Sequence, residues 1–425
     1  MSMIASLVLA VAMTPVGDWQ ISVSVDGKTE SFAIDPPTRI EVKNERHPRL
    51  PPPSPVAGWR KECKFLAARA WECTVAHAVV PDSYVITSLP DGRVLANGRD
   101  YTVDLLWGTI EWKPGGEVST NVPVSVSYAY RMRRIDSIVR GTDGRLSLRK
   151  GEAHVATPVQ PALAPNETRI GNVFLDAQTD SLGVRNLFPV LEPPPNPISS
   201  TTPVAARLLP RTWKKLNQGT TVTVLAWGDS VTSCGFLPDK DKWQEQFIRR
   251  LRRRFPKADI RLVSNGWGGR CSNNFLRVPE ADPHNFTNKV AGVKADLVIS
   301  EFVNDCGYGE KIVREDYPRF LQSFREVGSE WIAMTPHYVR LDWMGLKDCH
   351  ESDYDPRPFV HALRKFAAEN GVALADASRR WGHLWREGIP FSTMYVNDIN
   401  HPVAGGMTIF ADALMELFGG DGGRE

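Results

Sequence analysis

The first part of the chain shows an alternating hydrophobic pattern. Between about residues 17 and 149, apolar and polar positions alternate in short runs, and turn signals such as Asp26-Gly27 separate the runs. Because strand side chains point alternately to the two faces of a sheet, this period of two predicts half-buried strands. The runs that predict strands are residues 19–25, 84–87, 101–106, 109–112 and 122–128. Several short strands joined by turns predict an all-β, sandwich-like N-terminal domain.

Beyond about Thr220 the pattern changes to near-continuous apolar runs that alternate with helical periodicity. The runs that predict buried strands are residues 222–227, 260–264, 296–302, 331–335 and 372–375. The segments that predict helices are residues 242–255, 311–327, 357–370 and 403–418. This alternation predicts an α/β domain with a parallel sheet of about five strands, covered by helices on both faces. In such a sheet the functional side chains gather at the carboxyl ends of the strands.

A proline-rich segment, residues 193–203, separates the two regions. Repeated proline cannot join a central sheet, and the extended conformation that it favours makes a stiff spacer. We therefore predict a β-rich accessory domain at residues 17–190, a linker at 191–215 and a catalytic domain at 216–425.

The first residues bear on the location of the protein. Residues 2–13 are apolar, and Ala10-Val11-Ala12 is a small-x-small sequence typical of a signal-peptide cleavage site. They predict a signal peptide at residues 1–16 and a secreted or periplasmic protein. Because no Lys or Arg precedes the apolar run, the alternative is a buried first strand in a cytoplasmic protein. No other stretch of the sequence is long and apolar enough to span a bilayer.

Composition narrows the class of protein. Of the 425 residues, 42% are hydrophobic and 24% charged, which is typical of a globular protein. The net charge of +2 predicts no nucleic-acid partner. The basic run at residues 249–254 does not change this, because Phe247, Leu251 and Phe255 recur every four residues and predict an amphipathic helix with a solvated charged face. The sequence leaves the oligomeric state open.

Three short segments directly follow the first three predicted strands of the second region. Ser230 follows the first strand, Gly268 and Gly269 the second, and Asn304 the third. A serine hydroxyl becomes a nucleophile when a base takes its proton. The N–H groups of a glycine turn and an asparagine amide can donate hydrogen bonds to an oxyanion. Each segment alone is weak, since ordinary turns and helix caps use the same residues.

A fourth segment, before the last predicted helix, contains Asp398 and His401. An aspartate three residues before a histidine can fold back so that its carboxylate fixes the imidazole tautomer, which leaves the other ring nitrogen to act as a base. His337, at the end of the fourth strand, is the alternative base but has no aspartate at this spacing. His337 and Asp229 are also candidates for lining the pocket.

The order Ser, Gly, Asn and Asp-x-x-His at these positions resembles the SGNH (GDSL-like) hydrolase family over residues 220–418, about half of the chain. The resemblance implies a three-layer α/β/α, flavodoxin-like domain. It also implies a catalytic triad with Ser230 as the nucleophile, His401 as the base and Asp398 as the acid.

The same resemblance implies an oxyanion hole. Its donors are the Ser230 N–H, the Gly269 N–H and the Asn304 amide, with Gly268 as the second choice for the glycine. Before the Asn-Asp pair of its third segment the family usually has glycine, whereas this sequence has Val303. The departure concerns the local backbone shape and leaves the asparagine side chain in place.

The resemblance implies a serine esterase with no cofactor and no metal, acting on a small-molecule or polysaccharide ester. Residues 239–242, after the nucleophile, are polar and do not form an apolar lid. We therefore predict acetyl esters, such as the O-acetyl groups of xylan, as substrates. The alternatives are an acyltransferase with the same triad, a lipase or lysophospholipase-type esterase, and a non-catalytic carbohydrate-binding protein. The aromatic β-rich domain is expected to bind sugar, to cover one side of the active site or to mediate oligomers.

Six cysteines complete the candidate chemistry. Four of them follow the ends of predicted strands in the second region, and the other two lie close together in the first. The predicted disulfides are Cys63–Cys73, Cys234–Cys271 and Cys306–Cys349. The alternative is that several cysteines are small buried hydrophobic residues.

Overall fold

The computed structural model describes residues 11–194 and 203–420, which fold into two compact units. Of the described residues, the first unit, called the β unit below, contains 11–193 together with Leu384–Asn400. The second, the α/β unit, contains the described residues of 194–383 together with 401–420. A short segment near the C-terminus therefore folds with the β unit, although the sequence pattern assigns it to the catalytic domain.

The β unit is built from short, mostly antiparallel strands. They are β1 (Val11–Gly17), β2 (Gln20–Val25), β3 (Lys28–Ala33), β4 (Arg39–His47), β5 (Val85–Ser88), β6 (Tyr101–Asp104), β7 (Thr109–Trp112), β8 (Val124–Arg131), β9 (Arg134–Arg140), β10 (Leu146–Arg149), β11 (Thr168–Leu175) and β12 (Leu187–Pro189). The sheets have the strand orders β1-β2-β3, β10-β9-β11-β12, β4-β8-β5 and β6-β7. The prediction of an all-β N-terminal region is confirmed.

Two hydrophobic cores hold these sheets together. Ile21 and Val23 of the first sheet share one core with Ile138 and Val173 of the second. The other core lies under β4-β8-β5 and β6-β7, and Ile86, Val126 and Ile110 are among its buried residues. Alternate positions of β2 are buried, as the period-two pattern predicts.

The segment predicted as a signal peptide overlaps β1. Val11–Gly17 pairs antiparallel with β2, and Met13 is buried in the core that they share. The sequence left a buried first strand as the alternative, but only Met13 of β1 is buried. Residues 1–10 lie outside the described residues, and export stays a prediction. Within the described part of the chain, the structure has no helix with the length and hydrophobicity to cross a membrane.

The α/β unit alternates strands and helices along the chain. Its strands are β13 (Val222–Gly228), β14 (Ile260–Gly266), β15 (Leu297–Glu301), β16 (Glu330–Met334) and β17 (Ala373–Ala375). Its helices are α1 (Val204–Leu208), α2 (Pro210–Gln218), α3 (Ser230–Ser233), α4 (Trp243–Arg254), α5 (Phe286–Lys289), α6 (Glu310–Glu315), α7 (Tyr317–Val327), α8 (Pro358–Asn370), α9 (Ala377–His383) and α10 (Ala404–Leu417). Helices α1 and α2 occupy the end of the predicted linker, and residues 195–202 of that linker lie outside the described residues.

The five strands form one parallel sheet in the order β14-β13-β15-β16-β17. Every residue of β15 and β16 is buried, because helices cover both faces. On one face Trp227 packs edge-on against Phe320 and Phe324 of α7. On the other face α4 and α10 pack together, and Arg250 of α4 pairs with Asp412 of α10 at 2.7 Å. Arg250 is thus a buried exception to the solvated basic face that the sequence predicts for α4.

The α/β/α fold class is confirmed, and the strand order positions a site. From β13 the chain moves to β14 on one side and later to β15 on the other, so the order reverses at β13. In doubly wound sheets such a switch point opens a crevice at the carboxyl ends of the strands. Ser230, Gly268 and Asn304 all come directly after these three strands.

Candidate active site

Ser230 begins α3 immediately after β13, in a tight turn. A Cβ atom on Gly228 would lie 2.1 Å from Thr232 Oγ1 and 2.4 Å from Glu301 O, so only glycine fits there. Asp229 caps the helix, because its Oδ1 accepts a helix N–H at 3.0 Å. As the first helical residue, Ser230 has an N–H with no acceptor among the described residues. The turn therefore presents both the hydroxyl and the N–H of Ser230.

His401 meets this serine. Its Nε2 lies 3.0 Å from Ser230 Oγ, which is hydrogen-bond distance. The imidazole is 8% exposed and stacks on Phe236, with ring centroids 4.5 Å apart and planes inclined by 8°. The Phe236 ring limits rotation of the imidazole. The structure thus places Ser230 and His401, two of the residues that the sequence predicts as catalytic, within hydrogen-bond distance of each other.

Asn304 is held by the carboxylate of Asp229. Both the backbone N–H and the side-chain Nδ2 of Asn304 donate to Asp229 Oδ2 at 3.0 Å. The same Nδ2 lies 3.3 Å from Arg270 O, so its second hydrogen has a long bond in this structure. Asp229 has no exposed surface and does not line a pocket. It links the nucleophile turn to the asparagine instead.

The glycine turn after β14 leaves N–H groups available. Arg270 N donates to Trp267 O at 3.3 Å, and Gly269 has a φ of +70°, which favours glycine. Among the described residues, no acceptor takes the N–H of Gly268 or of Gly269. A Cβ on Gly268 would be 3.9 Å from Ser230 Cβ, whereas one on Gly269 would have no atom within 4 Å. Gly268 is thus the nearer of the two positions to the serine by this measure.

Three carboxyl groups are buried beneath these turns: Asp229, Glu301 and Asp305. Asp305 accepts hydrogen bonds from Ser272 N at 2.8 Å, from Ser272 Oγ at 2.7 Å and from Tyr317 OH at 3.0 Å. The Thr232 side chain and Arg357 favour the charged form of Glu301, but within the described part of the chain neither carboxyl oxygen of Glu301 has a hydrogen bond of ordinary geometry. Glu301 therefore has the fewest hydrogen bonds of the three carboxyl groups.

Burial raises the pKa of all three carboxyl groups, because it penalises the charged form. The pKa of Asp305 rises to about 6, with the Ser272 and Tyr317 hydrogen bonds opposing the shift. Burial raises the pKa of Asp229, and the N–H groups that it accepts act in the opposite direction. The pKa of Glu301 is raised well above its usual value by burial and by the neighbouring Asp229 and Asp305. Burial therefore favours the protonated form of Glu301.

Asp398 lies in the segment that folds with the β unit. Its Oδ1 is 2.5 Å from Arg133 Nη1, and its Oδ2 accepts the Ala76 N–H at 2.9 Å. The residue is 7% exposed and has a φ of +57°, the left-handed region that few non-glycine residues adopt. The carboxylate of the predicted acid is thus held in one orientation by two donors from distant parts of the sequence.

His337, the alternative base, has no exposed surface. Its ring packs near Trp381 and Phe410, with centroids 5.5 Å and 5.7 Å away. A side chain without exposed surface does not line a pocket. The geometry therefore favours His401 over His337 as the base.

The three predicted disulfides are absent, since all six cysteines lie in the described residues and are thiols. Cys73 Sγ donates to Asn397 O at 3.1 Å, and Cys271 Sγ donates to Asn304 O at 3.3 Å. Four cysteines are buried, in line with the alternative of small buried hydrophobic residues. The pairings Cys63–Cys73, Cys234–Cys271 and Cys306–Cys349 are therefore wrong for this structure.

Sequence reasoning missed Phe236, Glu301, Arg133 and Ala76. Phe236 is one of many aromatic residues, and Glu301 ends an ordinary buried strand. Arg133 and Ala76 lie far from Asp398 along the chain, and no motif joins them. Only the folded chain brings these groups to the functional residues.

No protein-family model and no curated protein matches the chain. Solved structures do match parts of it. One is a two-domain esterase (CEX) active on acetylated mannans, co-crystallised with mannopentaose, at 13% identity and a TM-score of 0.39. That match covers 50% of this chain and 52% of the esterase, so the chain spans about half the length of this two-domain protein.

Two single-domain matches have similar scores. A mutant of Axe2, an acetyl-xylooligosaccharide esterase from Geobacillus stearmophilus, is 18% identical with a TM-score of 0.35, covering 48% of this chain and 97% of that one. The acetyl xylan esterase AlAXEase is 19% identical with a TM-score of 0.36, covering 46% and 98%. About half of this chain is thus similar to solved structures of carbohydrate acetylesterases.

Proposed function

We propose that this chain is a serine esterase in which Ser230 attacks the ester carbonyl and His401 takes the serine proton. The observation that carries the proposal is the 3.0 Å distance between Ser230 Oγ and His401 Nε2 at the carboxyl end of β13. A serine hydroxyl is a poor nucleophile at neutral pH unless a base stands within hydrogen-bond reach.

Asp398 is proposed as the acid that orients the base. It precedes His401 by three residues, the spacing at which a carboxylate can fix the imidazole tautomer so that Nε2 accepts the serine proton. Asp398 is buried, and its contacts with Arg133 and the Ala76 N–H hold its carboxylate in one place. Its role is to stabilise the imidazolium that forms during attack.

The oxyanion hole is proposed to consist of two backbone N–H groups that have no acceptor among the described residues and of one side-chain amide. The backbone groups are the Ser230 N–H and one N–H of the glycine turn, from Gly269 or Gly268. The third donor is Asn304 Nδ2. Its N–H that makes the long hydrogen bond to Arg270 O is the one proposed to donate to the substrate oxygen instead. Losing one such donor typically costs about 3–4 kcal/mol of transition-state stabilisation.

The reaction then proceeds in two halves. Ser230 Oγ bonds to the carbonyl carbon while its proton moves to His401 Nε2, and the C–O bond to the alcohol breaks as that proton passes to the departing oxygen. Water then attacks the acyl-serine with His401 again as the base, which releases the acid and restores the serine. The sum is one ester and one water giving one acid and one alcohol, so no cofactor is needed.

The proposed substrates are acetyl esters of a carbohydrate such as xylan. The surface after the nucleophile is polar, and Asp239 and Lys240 are exposed in a short turn. An apolar lid or groove would be needed to bury a long acyl chain, since each methylene gains about 0.8 kcal/mol only where it leaves water. A polar rim instead suits a hydrated sugar that carries a small acyl group.

The decisive experiment compares the wild type with Ser230→Ala on p-nitrophenyl acetate. We expect the variant to lose at least about 10⁴-fold in kcat while its circular dichroism spectrum is unchanged. Ser323→Ala, the same substitution on α7, is the matched control and should keep wild-type kcat. Full activity of Ser230→Ala would refute the proposal.

Substrate class is tested on the same preparations. We expect kcat/KM to fall steadily along p-nitrophenyl acetate, butyrate and octanoate, and acetate to be released from acetylated xylan. A rise with chain length would point to a lipase-type esterase instead of an acetylesterase.

A further inference from the structure

We propose that Arg133 is a positioning residue for Asp398. The inference rests on the proposed role of Asp398 as the acid of the triad. It assigns to Arg133 a role that the sequence did not indicate. Three sets of contacts within the β unit support it.

The first set holds the carboxylate itself. Arg133 Nη1 contacts Asp398 Oδ1 at 2.5 Å, and Ala76 N donates to Oδ2 at 2.9 Å. Each carboxylate oxygen can accept two hydrogen bonds, so these donors leave capacity for a further N–H, as a triad requires. Arg133 is itself 8% exposed, and an ion pair this well buried is screened little by solvent.

The second set holds the backbone around Asp398. Asn397 Oδ1 accepts the Ile399 N–H at 3.1 Å and the Asn400 N–H at 2.9 Å, which closes a turn. Within this turn Asp398 keeps its φ of +57°, a conformation that costs a non-glycine residue energy and persists only when its surroundings enforce it. The turn therefore depends on contacts from outside its own sequence.

The third set supplies those contacts from residues 71–76. Trp71 N donates to Val396 O at 2.9 Å, and Cys73 Sγ donates to Asn397 O at 3.1 Å. Glu72 accepts from Asn397 Nδ2 at 2.8 Å. Ile399 is 2% exposed and is buried with Cys73 and other apolar residues. Residues 71–76 thus bind the backbone on both sides of the acid.

Together these contacts make Asp398 a group that the β unit orients before any substrate binds. In a triad the acid acts only in one orientation, and a displacement of about 1 Å can reduce the rate about 100-fold. Without the guanidinium, one carboxylate oxygen loses its charged partner and the side chain can rotate. The structure therefore predicts that kcat, not substrate binding, depends on Arg133.

The test is the Arg133→Met variant of the full chain, which keeps much of the aliphatic stem but removes the charge. We expect kcat on p-nitrophenyl acetate to fall about 10- to 100-fold while KM stays within about threefold. Arg133→Lys restores a cation and should recover part of that loss. Arg131→Met is the matched control, because Arg131 pairs at 2.6 Å with the exposed Asp180, and its kcat should not change.

A double-mutant cycle distinguishes positioning from a general effect on stability. If Arg133 acts through Asp398, Arg133→Met should cause little further loss of kcat in an Asp398→Asn background. Losses that multiply independently would overturn the proposal. If Arg133→Met does not fold, the same double-mutant cycle can be measured with Arg133→Lys, for which we expect a smaller loss of kcat.

The cycle also separates this inference from the proposed function. Full activity of Asp398→Asn would remove the acid role, and the present proposal with it. Loss of activity in Ser230→Ala and Asp398→Asn, with wild-type kcat in Arg133→Met, would leave the esterase proposal standing and refute the role of Arg133.

Discussion

The two units of this protein hold their functional side chains in different ways. In the α/β unit, Ser230, Asn304 and the glycine turn each follow a parallel strand, so the sheet itself brings them together. In the β unit, Asp398 depends on an arginine and a backbone N–H from distant parts of the sequence. Placement by strand order leaves a motif in the sequence, whereas placement by long-range ion pairs does not.

The units also differ in how they bury charge. The α/β unit buries Asp229, Glu301 and Asp305 close together, and their pKa values rise. The β unit buries Asp136 and Asp398 against arginine side chains. Burial penalises the charged form of the first three carboxyl groups, whereas the other two each form an ion pair with a guanidinium. Substitutions in either unit can therefore test this difference.

The largest effect is expected from breaking the buried ion pair of the β unit. Arg134 and Asp136 are each 1% exposed, and their bidentate bonds measure 2.8 Å and 3.0 Å. Arg134→Met would leave a buried carboxylate without its partner, which costs about 3–5 kcal/mol. Urea unfolding measures the loss.

The matched control for that variant is Arg39→Met. Arg39 pairs with Glu41 at 2.9 Å, but both side chains are more than half exposed, at 51% and 60%. Exposed pairs of this kind contribute at most about 1 kcal/mol. Equal destabilisation by the two variants would contradict the difference between buried and exposed pairs.

A smaller loss of stability is expected from the nucleophile turn of the α/β unit. Gly228→Ala puts a Cβ atom 2.1 Å from Thr232 Oγ1, so the turn must move at a cost of about 1–3 kcal/mol. We also expect kcat to fall, since Ser230 follows two residues later. In Gly235→Ala the added Cβ meets no atom within 4 Å, and both stability and kcat should stay close to wild type.

The smallest effect concerns the pH dependence of stability. The pKa of Glu301 is raised in the folded state, so protonated Glu301 favours folding. Its contribution to the free energy of unfolding is complete below the ordinary pKa of glutamate and is lost as the pH rises through the folded-state pKa. Glu301→Gln removes this dependence. Relative to wild type, the melting temperature of the variant should therefore increase as the pH rises from about 5 to about 8.

Glu326→Gln, an exposed glutamate of α7 with the same substitution, is the control. Its melting temperature should follow that of the wild type at every pH. A constant offset between Glu301→Gln and wild type across this range would show that Glu301 does not titrate differently in the folded state.

Much of the α/β unit was predictable from the sequence. Strands buried on both faces read as continuous apolar runs, and the predicted strand at 222–227 lies within Val222–Gly228. The predicted helix at 311–327 is instead two helices, α6 and α7, which meet at Asp316. Pro318 lies near the start of α7, a position that proline favours.

The β unit was less predictable. The sequence pattern did not predict β9 or β11. In β9 the reason is that Arg134 and Asp136 are polar residues, yet they are buried as an ion pair. The cysteine pairings failed for a related reason, since closeness to functional segments does not specify how two Cβ atoms are oriented. Hydropathy does not reveal which polar residues will find a partner.

The sequence by itself determined the order of strands and helices in the second half, the α/β fold class, and Ser230, Asn304 and His401 as candidate residues. These follow from local periodicity and from short motifs at strand ends. Only the tertiary structure decided that Leu384–Asn400 folds with the β unit, that Glu301 is buried beside Asp229 and Asp305, and that Arg133 contacts Asp398. The reason is physical: burial and ion pairing depend on distances in space between residues that are remote along the chain.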